Sequence, residues 1–395
     1  MCILTGFFAS FIGRKTAMLL LVIPFTFGWT LIIFARNFTM VIMGRALLGI
    51  ATGGVCVIVP IYIAEIAETR IRGVLCYLFQ LSSSVGTLLA GASITTSRLS
   101  VVCAVIPLVF GILILFCPES PTYLMQNNRP GDASRALLRL LQPAQYKEAF
   151  QSLFRQSSVK ALFISYGLFV CQQMCGINIL KFYTEDIFPA VDETKLNSAS
   201  LTAFIGVVAT VVAGFIVDRI GRRALLITSQ IIITICSLSL GFYFRIKESN
   251  SNSVDHLNWI PLIIQGVFTV AFSIGLGPIP WVILGEIFPT DVKCLAGSIS
   301  TSASLTLAFI TTKTHDSLHE VFGAGGVFWL YTSFSLLGTV FVYYVVPETK
   351  GKSLNNIQQI INEVQPADSD GLLENSDNIA MKELRDGQKG KFFTL

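Results

Sequence analysis

An all-α membrane protein made of two related helical bundles is the fold class this chain predicts. Three observations carry that expectation. The chain of 395 residues is 53% hydrophobic and only 13% charged, where a soluble protein carries about twice that charged fraction. Apolar stretches of roughly 20 residues, each long enough to cross a bilayer as a helix, recur from end to end. A charged run in the second half, Asp218-Arg219-Ile220-Gly221-Arg222-Arg223, has a broken copy in the first, Ser10-Phe11-Ile12-Gly13-Arg14-Lys15.

The spans fall in order at 16–35, 40–63, 74–94 and 100–117, then at 159–183, 198–217, 224–244, 258–284, 295–312 and 325–346. Lipid offers backbone groups no partner, so each is expected to be a helix. Met1 to Ala9 is apolar but too short to span alone. The first four spans form an N-terminal bundle, 1–117, and the last six a C-terminal bundle, 159–346. Between them, 118–158 is polar, with helical patterning at Ala133–Leu141 and turn breakers at Asn127-Asn128-Arg129-Pro130-Gly131; it predicts a linker with short surface helices. The tail, 347–395, is polar and expected to be disordered from about 366. Set against six spans in the second half, the first is expected to lack one helix and most of another.

Charge supplies orientation. Lys and Arg gather in alternate loops, at Arg14/Lys15, Arg70/Arg72, the linker, Arg219/Arg222/Arg223 and Lys293. Positive loops face the cytosol, so the linker and C-terminus are placed there. The cations hug membrane edges rather than forming an extended basic face, which argues against nucleic acid. The nine cysteines lie almost entirely in spans without a CxxC pair and are expected to act as packing residues. No nucleotide-binding loop, nucleophile constellation or redox pair is present, so neither a membrane enzyme nor an energy-coupled pump is expected, and no catalytic residue, cofactor or metal is assigned. His315-Asp316-x-x-His319-Glu320 has metal-like spacing in what is expected to be an outer loop, where a solvated group serves equally. Asp368-x-x-x-Leu372-Leu373 fits an acidic dileucine sorting signal, a possible adaptor contact that would divert the protein to endosomes.

The two halves echo one another beyond the charged run. Glu65 is followed by Arg72 as Glu286 is followed by Lys293, each pair seven apart. Pro118-Glu119-Ser120 closes the first half and Pro347-Glu348-Thr349 the second. Repeated halves are a transporter plan. With Arg45 inside a span, Pro60-x-Tyr62-x-x-Glu65, Gln172-Gln173-x-x-Gly176-Ile177-Asn178, Gly275-x-Gly277-Pro278-Ile279-Pro280-Trp281 and Gly285-Glu286-Ile287-Phe288-Pro289, the chain resembles the sugar porters of the major facilitator superfamily from residue 6 to about 361. Its second half is most like insect facilitated trehalose transporters and related glucose carriers.

The resemblance implies facilitative passage of a neutral sugar, glucose-like or trehalose-like, by alternating access at the plasma membrane. A proton-coupled symporter and a non-transporting sensor or inactive paralogue are the alternatives. Sugars present many hydroxyls and no charge, and they need amides and an aromatic wall. The resemblance places Gln80, Gln172, Gln173, Asn178 and Trp281 on the sugar, with Tyr183 as an outer gate. Gly176 lets its helix loosen, while Pro278 and Pro280 break theirs. Polar glue between helices is the alternative for the amides, and a membrane-interface anchor for Trp281. Arg14, Glu65, Arg72, Asp218, Arg219, Arg222, Arg223, Glu286 and Lys293 are expected to form a cytosolic clamp whose ion pairs shut the inner face. Arg45 is expected to be a buried, paired charge. Ser10 and Phe11 stand where the family's first clamp has an acid and an arginine, Ser304 and Leu305 where it has Asn-Trp, and Lys181 is unusual near the outer end of its span.

Overall fold

The computed structural model describes residues 2–67, 72–91, 96–120, 156–182, 198–249, 259–288 and 292–350. Twelve helical segments cover them: α1 (Cys2–Ile12), α2 (Arg14–Ile33), α3 (Phe38–Ile66), α4 (Arg72–Gly91), α5 (Thr96–Phe116), α6 (Gln156–Met174), α7 (Ile177–Phe182), α8 (Ser198–Ile220), α9 (Arg222–Ser249), α10 (Ile260–Ile274), α11 (Ile279–Ile287) and α12 (Lys293–Val345). No strand occurs among the described residues. Eight helices are long and apolar enough to cross a membrane, α10 and α11 together making one of them. Over the described residues the expected spans appear as helix apart from the 275–278 break between α10 and α11, with three differences of form. The span expected at 159–183 is the broken pair α6–α7. The last two expected spans are one element, α12, interrupted only at Gly323 (φ 69°). The charged run expected to fill a six-residue loop does not: α8 runs through Arg219 to Ile220 and α9 starts at Arg222, so Gly221 alone turns the chain. Its φ of 105° is one that L side chains rarely adopt, and a Cβ there would lie 2.8 Å from Glu348 Oε2.

Helix packing repeats between the halves. α2 packs on α3 and α5 as α9 packs on α10 and α12, and α1 meets α3 as α8 meets α10. The second half encloses the larger core, centred on Leu168, Phe169, Leu226, Phe268, Val282 and Leu284. The halves meet through α4 laid along α8, and through α1 and α3 against α11 and α12. Small residues allow the second contact. A Cβ on Gly285 would come 2.7 Å from Ala64 Cβ, and one on Gly6 2.4 Å from Ser298 Cβ. Both close approaches sit at the end of the molecule that carries the charged repeats, called here the charged end.

Candidate functional site

The expected site is built on two helix breaks. Gly176, at φ 86°, separates α6 from α7, and a Cβ there would meet the Tyr331 ring at 2.8 Å. Residues 275–278 separate α10 from α11 ahead of Pro280. A broken helix frees backbone carbonyls that lipid cannot satisfy, so such a break needs side-chain donors. Gln172 supplies them: its Nε2 donates to Leu276 O at 2.9 Å and to Gly277 O at 2.7 Å. Ser229 of α9 completes the repair, accepting from Leu276 N–H at 3.1 Å and donating to Ala271 O at 2.7 Å. Gln173 extends the network. Its Nε2 donates to Gln172 Oε1 at 3.3 Å and to Ser304 Oγ of α12 at 3.0 Å, while its Oε1 accepts from Asn178 Nδ2 at 2.7 Å. Three of the predicted amides thus form one chain joining both breaks, with Gln172 and Gln173 buried.

Trp281 stands in the first turn of α11, 8% exposed, with its ring 4.8 Å from that of Phe169 on α6 and 5.3 Å from that of Phe79 on α4. It is therefore an internal aromatic contact between the halves. Gln80, buried next to Phe79 on α4, lies three residues past Tyr77, whose hydroxyl donates to Ile274 O at the rim of the α10–α11 break, at 2.8 Å. Tyr183 lies outside the described residues, as do Asp368, Leu372 and Leu373 and nearly all of the expected linker and tail. Sequence reasoning did not assign Tyr77, Ser229 or Ser304 to the site. A lone hydroxyl in an apolar span carries no pattern, and only the atoms it faces reveal its role.

The charged end is built twice. In the first half Glu119 Oε1 accepts from the backbone N–H groups of Arg14 and Lys15, at 2.9 and 3.1 Å, and Arg14 Nη2 pairs with Glu65 Oε1 at 3.1 Å. Ser120 Oγ donates to the other Glu65 oxygen. In the second half Glu348 accepts from the N–H groups of Arg222 and Arg223, at 3.1 and 3.0 Å, and Arg222 pairs with Asp218 at 3.0 Å and Glu286 at 3.5 Å. A carboxylate at a helix N-terminus satisfies its first free donors and its dipole. Glu119 and Glu348 were not in the expected clamp, although the repeated Pro-Glu-Ser/Thr was the signal for them.

The charged residues singled out in the sequence take several positions. The pairs Arg14–Glu65 and Arg222–Glu286 each lie within one half, and at the same end Gly285 and Gly6 bring the halves into close contact. Arg219 and Arg223 do not reach the clamp acids in the contacts seen. The Arg219 carbonyl accepts from Lys350 Nζ at 2.6 Å, and Arg223 donates to Tyr343 O and lies over that ring. Arg45 is exposed, not buried, as are its neighbours Ile42, Met43 and Ala46 on α3. Twenty residues of helix, about 30 Å, separate it from Glu65, so no charged-end acid is its partner. His315 and His319 lie on helix α12 rather than in a loop, with rings 6.2 Å apart, and no group of three metal-ligating side chains is found among the described residues. Lys293 is fully buried as the first residue of α12; the Arg72 side chain lies outside the described residues.

The matching of this architecture to a family is direct: the family described as sugar (and other) transporter covers residues 2–361. The chain belongs to the sugar transporter family. Among relatives of this sugar transporter family member, the facilitated trehalose transporter Tret1 of Bombyx mori is 36% identical over 385 residues, covering 90% of this chain and 75% of that protein. Tret1 of Polypedilum vanderplanki is 34% identical over 380 residues, with the same coverage. Among solved structures, the proton:xylose symporter XylE bound to 6-bromo-6-deoxy-D-glucose superposes with a TM-score of 0.72 at 22% identity, covering 91% of this chain and 86% of that one. The inward-open XylE from E. coli gives 0.63 at 23% identity. These likenesses establish the major facilitator fold.

Proposed function

We propose that this family member carries a neutral sugar, glucose-like or trehalose-like, down its gradient by alternating access, and catalyses no bond chemistry. The observation that carries the reading is the amide chain Gln172–Gln173–Asn178, strung between two helix breaks at mid-span. Amides donate and accept at once, which suits a polyol. Here they already hold backbone carbonyls and Ser304, so a sugar that enters exchanges hydrogen bonds with them and couples its arrival to both breaks. Trp281 and Phe79 supply an apolar wall between the halves.

Binding that favours an occluded shape over either open one lets the halves rock about the site. Close packing of Gly285 on Ala64 supports a state shut at the charged end, which the positive-inside pattern assigns to the cytosol. The likeness to facilitated trehalose transporters supports trehalose as the substrate class, and the positive loops support a cytosolic C-terminus. The decisive experiment is uptake of labelled glucose and trehalose by transporter-deficient cells expressing the full-length chain. Saturable uptake of either that equilibrates without a proton gradient is expected. No uptake by protein shown to be at the surface would refute the proposal.

A further inference from the structure

One cation in the second half is explained neither by topology nor by the charged end. Lys181 lies on α7, three residues past Asn178, a spacing that puts two side chains on one helix face. The rotation of α7 is fixed by its other residues. Ile179 is fully buried against Val327 and Tyr331 of α12. Leu180 is buried on the α10 side, where its carbonyl accepts from Gln265 at 3.3 Å. Lys181 is left exposed, on the face that also carries the amide network.

Its ammonium stands 5.5 Å above the Phe272 ring of α10, and Phe272 belongs to the buried core of the second half. A head group held over that ring has its position set by a cation–π contact while the residue stays accessible. Among the described residues no carboxylate pairs with it. Glu185 and Asp186, the nearest acids in sequence, lie outside them. A lone cation within a span is costly and is retained where something it binds offsets the cost.

From Asn178 to Lys181 the helix rises about 4.5 Å, comparable with the width of one pyranose ring. We infer that the site also accepts sugars bearing a carboxylate, of the hexuronic acid class, with Lys181 pairing the acid while Asn178 and Gln173 take ring hydroxyls. This rests on the sugar-carrier reading and names a second substrate class for the same site. A single ammonium balances one carboxylate charge, whereas a phosphate monoester carries nearly two at neutral pH and calls for more cations than the site has.

The test uses the full-length chain in two formats: competition against labelled glucose or trehalose uptake in cells, and thermal shift of the purified protein. Glucuronate, glucose and glucose 6-phosphate are the probes. Glucuronate is expected to compete and to stabilise the protein. In Lys181→Gln its inhibitory concentration, taken relative to that of glucose, is expected to rise by about tenfold or more, and Lys181→Arg is expected to restore most of the ratio. Surface expression of each variant separates misfolding from lost recognition.

Failure of glucuronate to compete, or an unchanged ratio in Lys181→Gln, overturns the inference. So does stronger competition by glucose 6-phosphate than by glucuronate. A gain in glucuronate competition on Glu185→Gln would show Lys181 spent on an internal pair and overturn it equally. Thermal shift keeps this apart from the carrier reading: stabilisation by glucuronate that Lys181→Gln abolishes, without any sugar uptake, sinks transport and leaves the recognition standing.

Discussion

Gln172 has a concentrated role, since one amide group satisfies two carbonyls freed by the α10–α11 break. Leaving a buried acceptor without its donor costs roughly 1–3 kcal/mol. Gln172→Ala is therefore expected to lower sugar uptake by about tenfold or more while surface expression holds; uptake equal to wild type would remove Gln172 from the site. Arg14 and Glu65 make the opposite kind of contribution. Their side chains are 2% and 1% exposed, and deleting one member strands the other, at about 3–5 kcal/mol. Glu65→Leu is expected to lower the melting temperature of the purified protein markedly, and the double replacement Arg14→Met with Glu65→Leu to recover most of the loss. A double variant less stable than the single would contradict a self-contained pair.

At the scale of the element, the informative positions are the points where helices stop. Both site breaks were legible in the sequence, because Gly176 and the Gly275-to-Pro280 stretch leave a residue-level mark on an otherwise unbroken span. What closes those breaks was not legible: Ser229 is an ordinary span residue until its partners are known, and Ser304 stood out only as a departure from the family's Asn. The charged run was readable as a repeat but not as a shape: one glycine makes the whole turn between α8 and α9. Gly221→Ala forces a side chain into that backbone conformation and against Glu348, a strain of about 1–3 kcal/mol. A lower melting temperature and reduced uptake are expected; wild-type stability would mean that the turn relaxes freely. Arg45 shows the limit of the method from the other side, because span membership reads from sequence while the direction a helix face points does not.

Across the whole molecule, what joins the halves differs from what holds each together. The pairs Arg14–Glu65 and Arg222–Glu286 and the carboxylate caps work within a half, while small residues let the halves touch. Gly285 is one such point, where an added Cβ would meet Ala64 at 2.7 Å, so Gly285→Val is expected to wedge the charged end open. Cys294, 5% exposed on α12 and set against α1, would then become reachable. Alkylation of Cys294 from the side of the charged end should rise several-fold over wild type, with Cys294→Ala as the blank; equal labelling would mean that this contact does not govern closure. Glu119 and Glu348 carry a further consequence. Each sits just past the last helix of its half and returns to clasp the start of α2 or α9, so the end of each half is tied back to a helix in its own interior. A lobe fastened on itself does not depend on being covalently strung to its twin. Two polypeptides separated within 121–155 and co-expressed should therefore find one another in the bilayer and rebuild a working carrier.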